Sequence, residues 1–334
     1  MAQMKYYYEL TISSSPHVHS PITTKTIMRD VLIALLPALI GSVVFFGFRA
    51  LTVTAVSVLA CWFFEKMWNK LMKKDDKTYD LSACVTGVLL AFVCPVTIPY
   101  WTIILGAFFA IIVVKMLFGG LGRNFVNPAL AGRAFMFSWP VLMSNWVKVG
   151  FNNAAGIFST VDAVTAPTPL ASMHQTYTID ETAGTILDMF IGNVGGSIGE
   201  TSALLLLIGF VYLLARKVIT ARIPLAYIGT VAVLALLFPM GNDPLTWVCA
   251  QLFSGGLMLG AIFMATDYVT SPITKLGQIV FGIGCGILTI VIRYFGGYNE
   301  GVSYAILIMN CMVVLLDRIG RPTKFGAPKK EAAK

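Results

Sequence analysis

The chain has 334 residues, of which 57% are hydrophobic and only 12% are charged. Because soluble globular proteins carry about 25% charged residues, this composition excludes an ordinary soluble domain and indicates an integral membrane protein. The formal net charge of +8 could suit nucleic acid, but the basic residues cluster between apolar segments, as they do in cytoplasmic loops of membrane proteins. We therefore expect no nucleic-acid partner.

The N-terminal segment, residues 1–30, is polar and includes Lys5, Glu9 and Lys25. The first apolar run follows it too late for a cleavable secretion signal. We expect this segment to lie in the cytoplasm, together with a basic C-terminal tail at 319–334.

Ten apolar segments are candidates for membrane-spanning helices, since a spanning helix needs roughly 20 apolar residues. They cover residues 31–48, 51–70, 81–95, 99–117, 127–145, 198–216, 223–240, 245–265, 276–294 and 302–318. The third is short and runs into a stretch bounded by Pro95 and Pro99, so we expect a broken or re-entrant segment that is sheltered by protein. The pattern predicts an all-α integral membrane protein with about ten transmembrane helices.

The two halves of the chain resemble each other. Residues 87–92 and a following proline parallel residues 260–265 and a following proline, and each copy precedes a helix that ends in Phe-Gly-Gly. Five spans per half is an odd number, so the second copy is expected to be inverted. We predict two inverted five-helix repeats, 31–145 and 198–318, an arrangement typical of transport folds with interrupted helices.

The positions of lysine and arginine predict the orientation, because cytoplasmic loops are enriched in both. With both termini inside, all but four of the 24 basic residues fall on the cytoplasmic side or tails. The exceptions are Arg49, Lys148 and Arg293 on the outer side and Arg133 within a helix. We therefore expect a multi-pass protein of the cytoplasmic (inner) membrane, with the polar loop 146–197 on its outer face.

Metal chemistry is not indicated. The six cysteines lie in or beside apolar segments without a C-x-x-C pair, and the three histidines are scattered, so metal-ligand spacing is absent from this chain alone. Buried free cysteines usually act as small hydrophobic residues. A ligand shared with a partner protein is the alternative.

The outer loop holds a hydroxyl-rich motif, Asp162-Ala163-Val164-Thr165-Ala166-Pro167-Thr168. Pro167 restricts the backbone before Thr168, and the small neighbours leave room for a bulky group. A threonine hydroxyl is a poor nucleophile without activation, so attachment of such a group would need an outside enzyme. On spacing alone, an ordinary Ser/Thr/Pro turn is the favoured explanation of the motif.

The motif is similar to the flavinylation signature Asp-x-x-Ser/Thr-Gly/Ala-x-Thr of the Rnf and sodium-pumping NADH:quinone oxidoreductase families. Further matches to these families follow in order at residues 15–17, 119–129, 195–202 and 265–267. The chain thus resembles, nearly from end to end, the family of D subunits of Rnf electron-transport complexes, which is homologous to the B subunits of the sodium pump.

This resemblance implies a covalent FMN, attached through a phosphoester to Thr168, with Asp162 and Thr165 as parts of the signature. Pro167 departs from the small residue that is common there. The resemblance also implies a non-covalent riboflavin, a flavin transferase for maturation, and other Rnf subunits as partners. The complex would pass electrons between ferredoxin and NAD, coupled to Na⁺ or H⁺ transport. This chain would be one component of that translocase, without catalytic residues of its own.

Gly195 and Gly196 leave two interpretations open. Before a helix expected to begin near Ile198, their backbone N–H groups could bind the phosphoester. The pattern Ser197-Ile198-Gly199-Glu200 also fits a capping box, in which the serine and glutamate side chains satisfy backbone N–H groups. We favour the capping box.

Asn124 and Asn127 are candidates to hydrogen-bond the non-covalent flavin. Because Pro128 suits the first turn of a helix, we favour the simpler role in which both amides cap the helix that starts there.

Asp267 lies deep in the apolar region, close in sequence to Thr266, Thr270 and Ser271. Ionisable residues in spans are costly and often functional, so this cluster of oxygen atoms is a candidate site for Na⁺ or a proton. The alternative places Asp267 at the cytoplasmic interface beside Lys275.

Two other functions fit parts of the pattern. A non-redox channel or transporter of the urea or ammonium type would explain the inverted repeats without any flavin. A passive scaffold that anchors redox proteins would explain the membrane helices alone.

Overall fold

The computed structural model describes residues 22–74, 78–147, 168–176, 185–200, 202–241, 243–296 and 300–319. The regular elements in these ranges are helices, as the sequence predicts. In chain order they are α1 Thr24–Phe46, α2 Phe48–Leu71, α3 Ser82–Phe92, α4 Tyr100–Phe108, α5 Pro128–Met136, α6 Pro140–Met143, α7 Pro169–Thr176, α8 Ile186–Ile191, α9 Ala203–Ala215, α10 Arg222–Leu237, α11 Pro244–Phe253, α12 Leu257–Leu259, α13 Lys275–Phe295 and α14 Val302–Leu316. Two π-helical segments, Phe109–Met116 after α4 and Gly260–Met264 after α12, and a 3₁₀ turn at Thr78–Asp80 complete the set.

Among the described residues, three helices, α1, α2 and α13, are long and apolar enough to cross a membrane. Helix α11 and the segment Leu257–Met264 would form a fourth span, bent by 61°. The shorter apolar helices are Ser82–Phe92, Tyr100–Met116, Ala203–Ala215, Arg222–Leu237 and Val302–Leu316. The membrane class is supported, whereas the ten-span, two-repeat layout stays a prediction.

Glycines let the long helices approach closely. A Cβ atom at Gly209 of α9 would overlap the Ala34 carbonyl oxygen of α1, and one at Gly282 of α13 would lie 2.9 Å from the Ile223 carbonyl oxygen of α10. Packing through small residues is the usual way in which membrane helices gain van der Waals contacts. The α1–α9 contact joins the first half of the chain to the second.

The chain breaks after α3, as the prolines predict. Residues 93–99 are not helical, and their backbone groups are satisfied by protein. Arg49 donates from Nε to the Val96 carbonyl oxygen at 2.9 Å, and the Ile198 N–H donates to the Cys94 carbonyl oxygen at 3.0 Å. The break is therefore sheltered, as membrane depth requires. Arg49 is buried, and its place on the outer side of the membrane stays a prediction.

A second break separates α11 from α12. Gly255 has a φ of 67°, a conformation that glycine adopts without strain. Arg293 donates to the carbonyl oxygens of Gln251 at 2.6 Å and Ser254 at 3.3 Å. Arg293 is also buried, so each break is held by an arginine from a neighbouring long helix.

The predicted capping box at Ser197-Ile198-Gly199-Glu200 is wrong. Helix α9 begins at Ala203, with Ser202 as its N-cap residue, and residues 198–200 form a turn. The Ser197 hydroxyl has no hydrogen-bond partner among the described residues. The tight contact of Gly199 with the Phe92 ring holds this turn against the first break and delays the helix start.

A capping box that the sequence prediction missed forms at the start of α8. The Thr185 side chain accepts from the Asp188 N–H, and the Asp188 carboxylate accepts from the Thr185 N–H at 3.0 Å. The hydrogen bond from the Thr185 hydroxyl, and then the one from its N–H, hold the pKa of Asp188 below its usual value. The stability that these hydrogen bonds give to the cap is fully present above the ordinary carboxyl pKa, and it is lost in acid as the Asp188 carboxylate takes up a proton.

Candidate functional site

Thr168 stands at the N-terminal end of α7, and its side chain caps that helix. The Ala171 N–H donates to Thr168 Oγ1 at 3.2 Å, and the Ser172 N–H donates to the Thr168 carbonyl oxygen at 3.0 Å. Thr168 is buried, with 6% of its surface exposed. The other signature residues, Asp162 and Thr165, lie outside the described residues.

Thr168 faces a small cavity of about 300 Å³. Its lining residues are Thr168, Pro169, Val194, Gly195, Gly196, Ser197, Glu200, Phe253, Ser254, Gly255 and Glu300. The fold thus brings the predicted attachment residue against the glycine pair Gly195 and Gly196 and beside the second break.

Arg133 of α5 forms the charged centre behind this cavity. Its Nη1 atom donates to the Ser303 hydroxyl at 2.7 Å and lies 3.5 Å from Glu200 Oε1. Its Nη2 atom pairs more closely with Glu300. Arg133 and Glu200 are both buried, so the two halves of the chain meet through a desolvated charge cluster.

The Glu200 carboxylate packs against the backbone of Gly256, which has no side chain to obstruct it. A Cβ atom at Gly256 would overlap Glu200. Gly256→Ala should therefore lower stability by about 1–3 kcal/mol, the usual cost of overpacking a filled interior, in a thermal melt of the purified protein. Gly229→Ala is the matched control, because a Cβ there meets nothing within 4 Å. An equal loss in both variants would contradict the overlap.

A second, larger cavity of about 760 Å³ lies elsewhere in the molecule. Its lining residues are Ile27, Met28, Val31, Ser82, Val85, Thr86, Leu89, Lys115, Leu121, Asn124, Asn127, Pro128, Ala129, Leu213, Val218, Ile219, Phe263, Thr266, Asp267, Tyr268 and Val269. Three predicted site residues line this one cavity: Asn124, Asn127 and Asp267. Asp267 is far from the other two in the chain. The cavity is mainly apolar with a few polar groups.

Asn127 is the N-cap of α5, as predicted. Its Oδ1 atom accepts from the N–H groups of Ala129 at 3.0 Å and Leu130 at 3.4 Å, and its Nδ2 atom donates to the Met264 carbonyl oxygen at 3.2 Å. Asn124 does not cap α5, which corrects the prediction that both amides do so. Asn124 donates to the Val126 carbonyl oxygen at 3.1 Å, and its buried Oδ1 has no partner among the described residues.

Asp267 follows the π-helical segment Gly260–Met264. Its carboxylate accepts from the Thr270 hydroxyl at 3.1 Å and from the Val269 N–H at 3.5 Å. Within the described parts of the chain, no group of three or more His, Cys, Asp or Glu side chains could hold a metal ion. Asp267 therefore offers a single carboxylate with hydroxyl neighbours.

A buried ion pair that the sequence did not reveal lies beside the larger cavity. Lys115 Nζ donates to Glu65 Oε2 at 2.8 Å and to the Ser82 hydroxyl at 2.7 Å, and both charged residues are buried. Lys115 belongs to the π-helical segment Phe109–Met116. Its place on the cytoplasmic side stays a prediction.

Lys115→Met should destabilise the protein by about 3–5 kcal/mol, because it leaves the Glu65 carboxylate buried without its cation. The double variant Lys115→Met, Glu65→Gln should recover part of that loss. Lys70→Met, an exposed lysine on the same helix as Glu65, is the control and should change the melting temperature little. An unchanged melting temperature of Lys115→Met would show that the pair adds no stability.

Comparisons with known proteins match nearly the whole chain. The model of the NQR2, RnfD, RnfE family matches residues 11–326. The D subunit of the Na⁺-translocating ferredoxin:NAD⁺ oxidoreductase complex of Acetobacterium woodii is 46% identical over 330 residues, covering 97% of this chain and 98% of the relative. The D subunit of the proton-translocating ferredoxin:NAD⁺ oxidoreductase complex of Clostridium ljungdahlii is 43% identical, covering 95% and 96%.

A third relative, the D subunit of the ion-translocating oxidoreductase complex of Stutzerimonas stutzeri, is 38% identical over 327 residues, covering 90% of this chain and 91% of the relative. The matched residues include both halves of the chain and the residues that line the two cavities. On this evidence, the chain belongs to the NQR2, RnfD, RnfE family.

Proposed function

We propose that the chain is the flavin-carrying membrane component of an ion-translocating ferredoxin:NAD oxidoreductase complex. Relatives that it matches over nearly their whole length are named as D subunits of such complexes. The single observation that carries the flavin part is the burial of Thr168, the last residue of the signature, in a cavity beside Gly195 and Gly196.

Thr168 is the residue that would carry FMN. The cavity is small, so it would hold at most the phosphoester, and the ring system would extend beyond it. The phosphoester keeps a negative charge, which backbone N–H groups at Gly195, Gly196 and the start of α7 would stabilise. Once bound, the flavin supplies the one-electron and two-electron chemistry, and the protein supplies its placement.

The larger cavity is the candidate site for a non-covalent riboflavin. Its lining is mainly apolar with a few polar groups, which is typical of cofactor pockets. The buried Oδ1 atom of Asn124 lacks a partner among the described residues, and buried acceptors are normally satisfied. An N–H donor of a flavin ring would satisfy it, with Asn127 fixed beside it.

The membrane arrangement completes the proposal. We place about ten spans in two inverted repeats across the inner membrane, with both termini in the cytoplasm and the loop 146–197 outside. Two features support a repeated design. Each half of the chain has a break that is held by an arginine, and each half has a π-helical segment. The short helices near the breaks account for spans that are below the usual length.

Partners follow from the same family. The chain would assemble with other subunits of the complex, would need a flavin transferase, and would move electrons while the complex transports Na⁺ or H⁺. Asp267 is the candidate residue for that ion or proton, since its carboxylate and the Thr270 hydroxyl lie together at the larger cavity.

Mass spectrometry of the natively purified protein tests the proposal. A peptide containing Thr168 should carry the added mass of an FMN phosphoester, and denaturation should release a second flavin without phosphate. An unmodified Thr168 peptide in colourless protein would overturn the flavin assignment and favour a non-redox transporter.

A further inference from the structure

Glu200 is a buried carboxyl group whose ion-pair partner among the described residues, Arg133, is shared with Glu300. Only 5% of the residue is exposed. Its Oε1 atom lies 3.5 Å from Arg133 Nη1, and its Oε2 atom has no hydrogen-bond partner among the described residues. Ser197, which lies beside it in the cavity of Thr168, also has a hydroxyl without a partner there.

In the described part of the chain, two cations lie near Glu200, and neither of them pairs closely with it. Arg133 pairs more closely with Glu300 than with Glu200. Arg293 of α13 directs its Nη1 and Nη2 atoms to oxygen atoms of Gln251 and Ser254.

The remaining titratable group that faces this cluster is the thiol of Cys94 from the first break, whose Sγ atom donates to the Leu90 carbonyl oxygen. Among the described residues, Arg133 is the one cation within ion-pairing distance of Glu200, and it also pairs with Glu300. Arg293 hydrogen-bonds only to neutral oxygen atoms, so its charge acts on both carboxyl groups from a distance.

A buried carboxylate without a full partner is strongly disfavoured, and such a group binds a proton instead. When two carboxyl groups compete for one cation, the less well paired member takes the proton. We propose that Glu200 is a proton-binding site that opens on the cavity of Thr168. Uptake converts the carboxylate and one proton from water into the neutral acid, and release reverses that step.

The site also couples the proton to the charge on Thr168, a part of the inference that rests on the proposed function. A phosphoester or an added electron near Thr168 makes the cavity more negative. Because the Glu200 carboxylate is disfavoured further by that charge, the proton is held more tightly. Glu200 would then gain or lose a proton as the charge of the attached group changes.

Infrared spectroscopy of the purified protein tests the site directly. Protonated carboxylic acids show a C=O stretching band that shifts in D₂O. We expect one such band at neutral pH to disappear in Glu200→Gln; in Glu300→Gln it should vanish at a lower pH than in wild type, because the charge of Arg133 is then left to Glu200 alone. Because glutamine resembles the neutral acid, Glu200→Gln should melt at an unchanged temperature, whereas Glu300→Gln should melt lower since Arg133 loses its closer partner. An identical spectrum in wild type and Glu200→Gln would overturn the proposal.

The same band separates this inference from the flavin assignment. In Thr168→Asn, which lacks the hydroxyl, the Glu200 band should be present but should vanish at a lower pH than in flavin-bearing wild type. If mass spectrometry finds no flavin on wild type while the band persists, the proton site stands and the flavin assignment fails. If flavin is attached and both proteins lose the band at the same pH, the coupling is contradicted.

Discussion

Thr168→Asn is expected to abolish covalent flavin attachment while leaving the protein folded. Asparagine is as good an N-cap as threonine or better, so it keeps the acceptor that the Ala171 N–H uses at 3.2 Å. It has no hydroxyl and cannot form a phosphoester. The protein band on a denaturing gel should therefore lose its fluorescence under ultraviolet light, and the intact mass should fall by one FMN group.

Two further variants complete this test. Thr168→Ser keeps both hydroxyl and cap and should stay fluorescent. Thr168→Val should be dark and should also lose about 0.5–2 kcal/mol, because the helix cap is removed. A fluorescent Thr168→Asn band would place the flavin on another residue and sink the assignment.

Arg133→Met should cause one of the largest losses of stability in the molecule. Arg133 lies between Glu200 and Glu300 and donates to the Ser303 hydroxyl at 2.7 Å, with 1% of its surface exposed. Breaking a buried ion pair from one side costs about 3–5 kcal/mol, because the remaining charge stays desolvated. A thermal melt of the purified protein in detergent measures the loss.

Arg29→Met supplies the matched control for that experiment. Arg29 approaches Asp30 at only 4.0 Å, and 59% of its side chain is exposed, so its pair should contribute about 0–1 kcal/mol. Combining Arg133→Met with Glu300→Gln should restore part of the stability. Equal melting temperatures for Arg133→Met and wild type would mean that the cluster does not hold the halves together.

The features that the sequence predicted well depend on local chemistry. Composition indicates the membrane class, Pro95 and Pro99 indicate the break after α3, and Asn127 before Pro128 indicates the start of α5. Each of these rests on backbone constraints within a few residues, such as the fixed φ of proline and its missing N–H. The assignment of Thr168 from the loop motif stays a prediction.

The features that the sequence missed depend on distant contacts. Arg133 and Glu300 are 167 positions apart, and Lys115 and Glu65 are 50 apart, so no spacing rule pairs them. The start of α9 was misplaced because Ser197 and Glu200 mimic a capping box, while the contact of Gly199 with Phe92 holds those residues in a turn. Tertiary packing overrode a local pattern there.

The burial of Thr168 has a consequence for assembly. Only 6% of the surface of Thr168 is exposed, and its hydroxyl already accepts a hydrogen bond from the first turn of α7, so the residue is out of reach of an enzyme in solution. If a transferase attaches flavin to Thr168, the attachment either precedes the docking of α7 or requires α7 to move away from the rest of the protein during the reaction. Assembly then depends on the order of these two steps. A chain in which α7 docks before the transferase acts stays unmodified and joins the complex without its flavin.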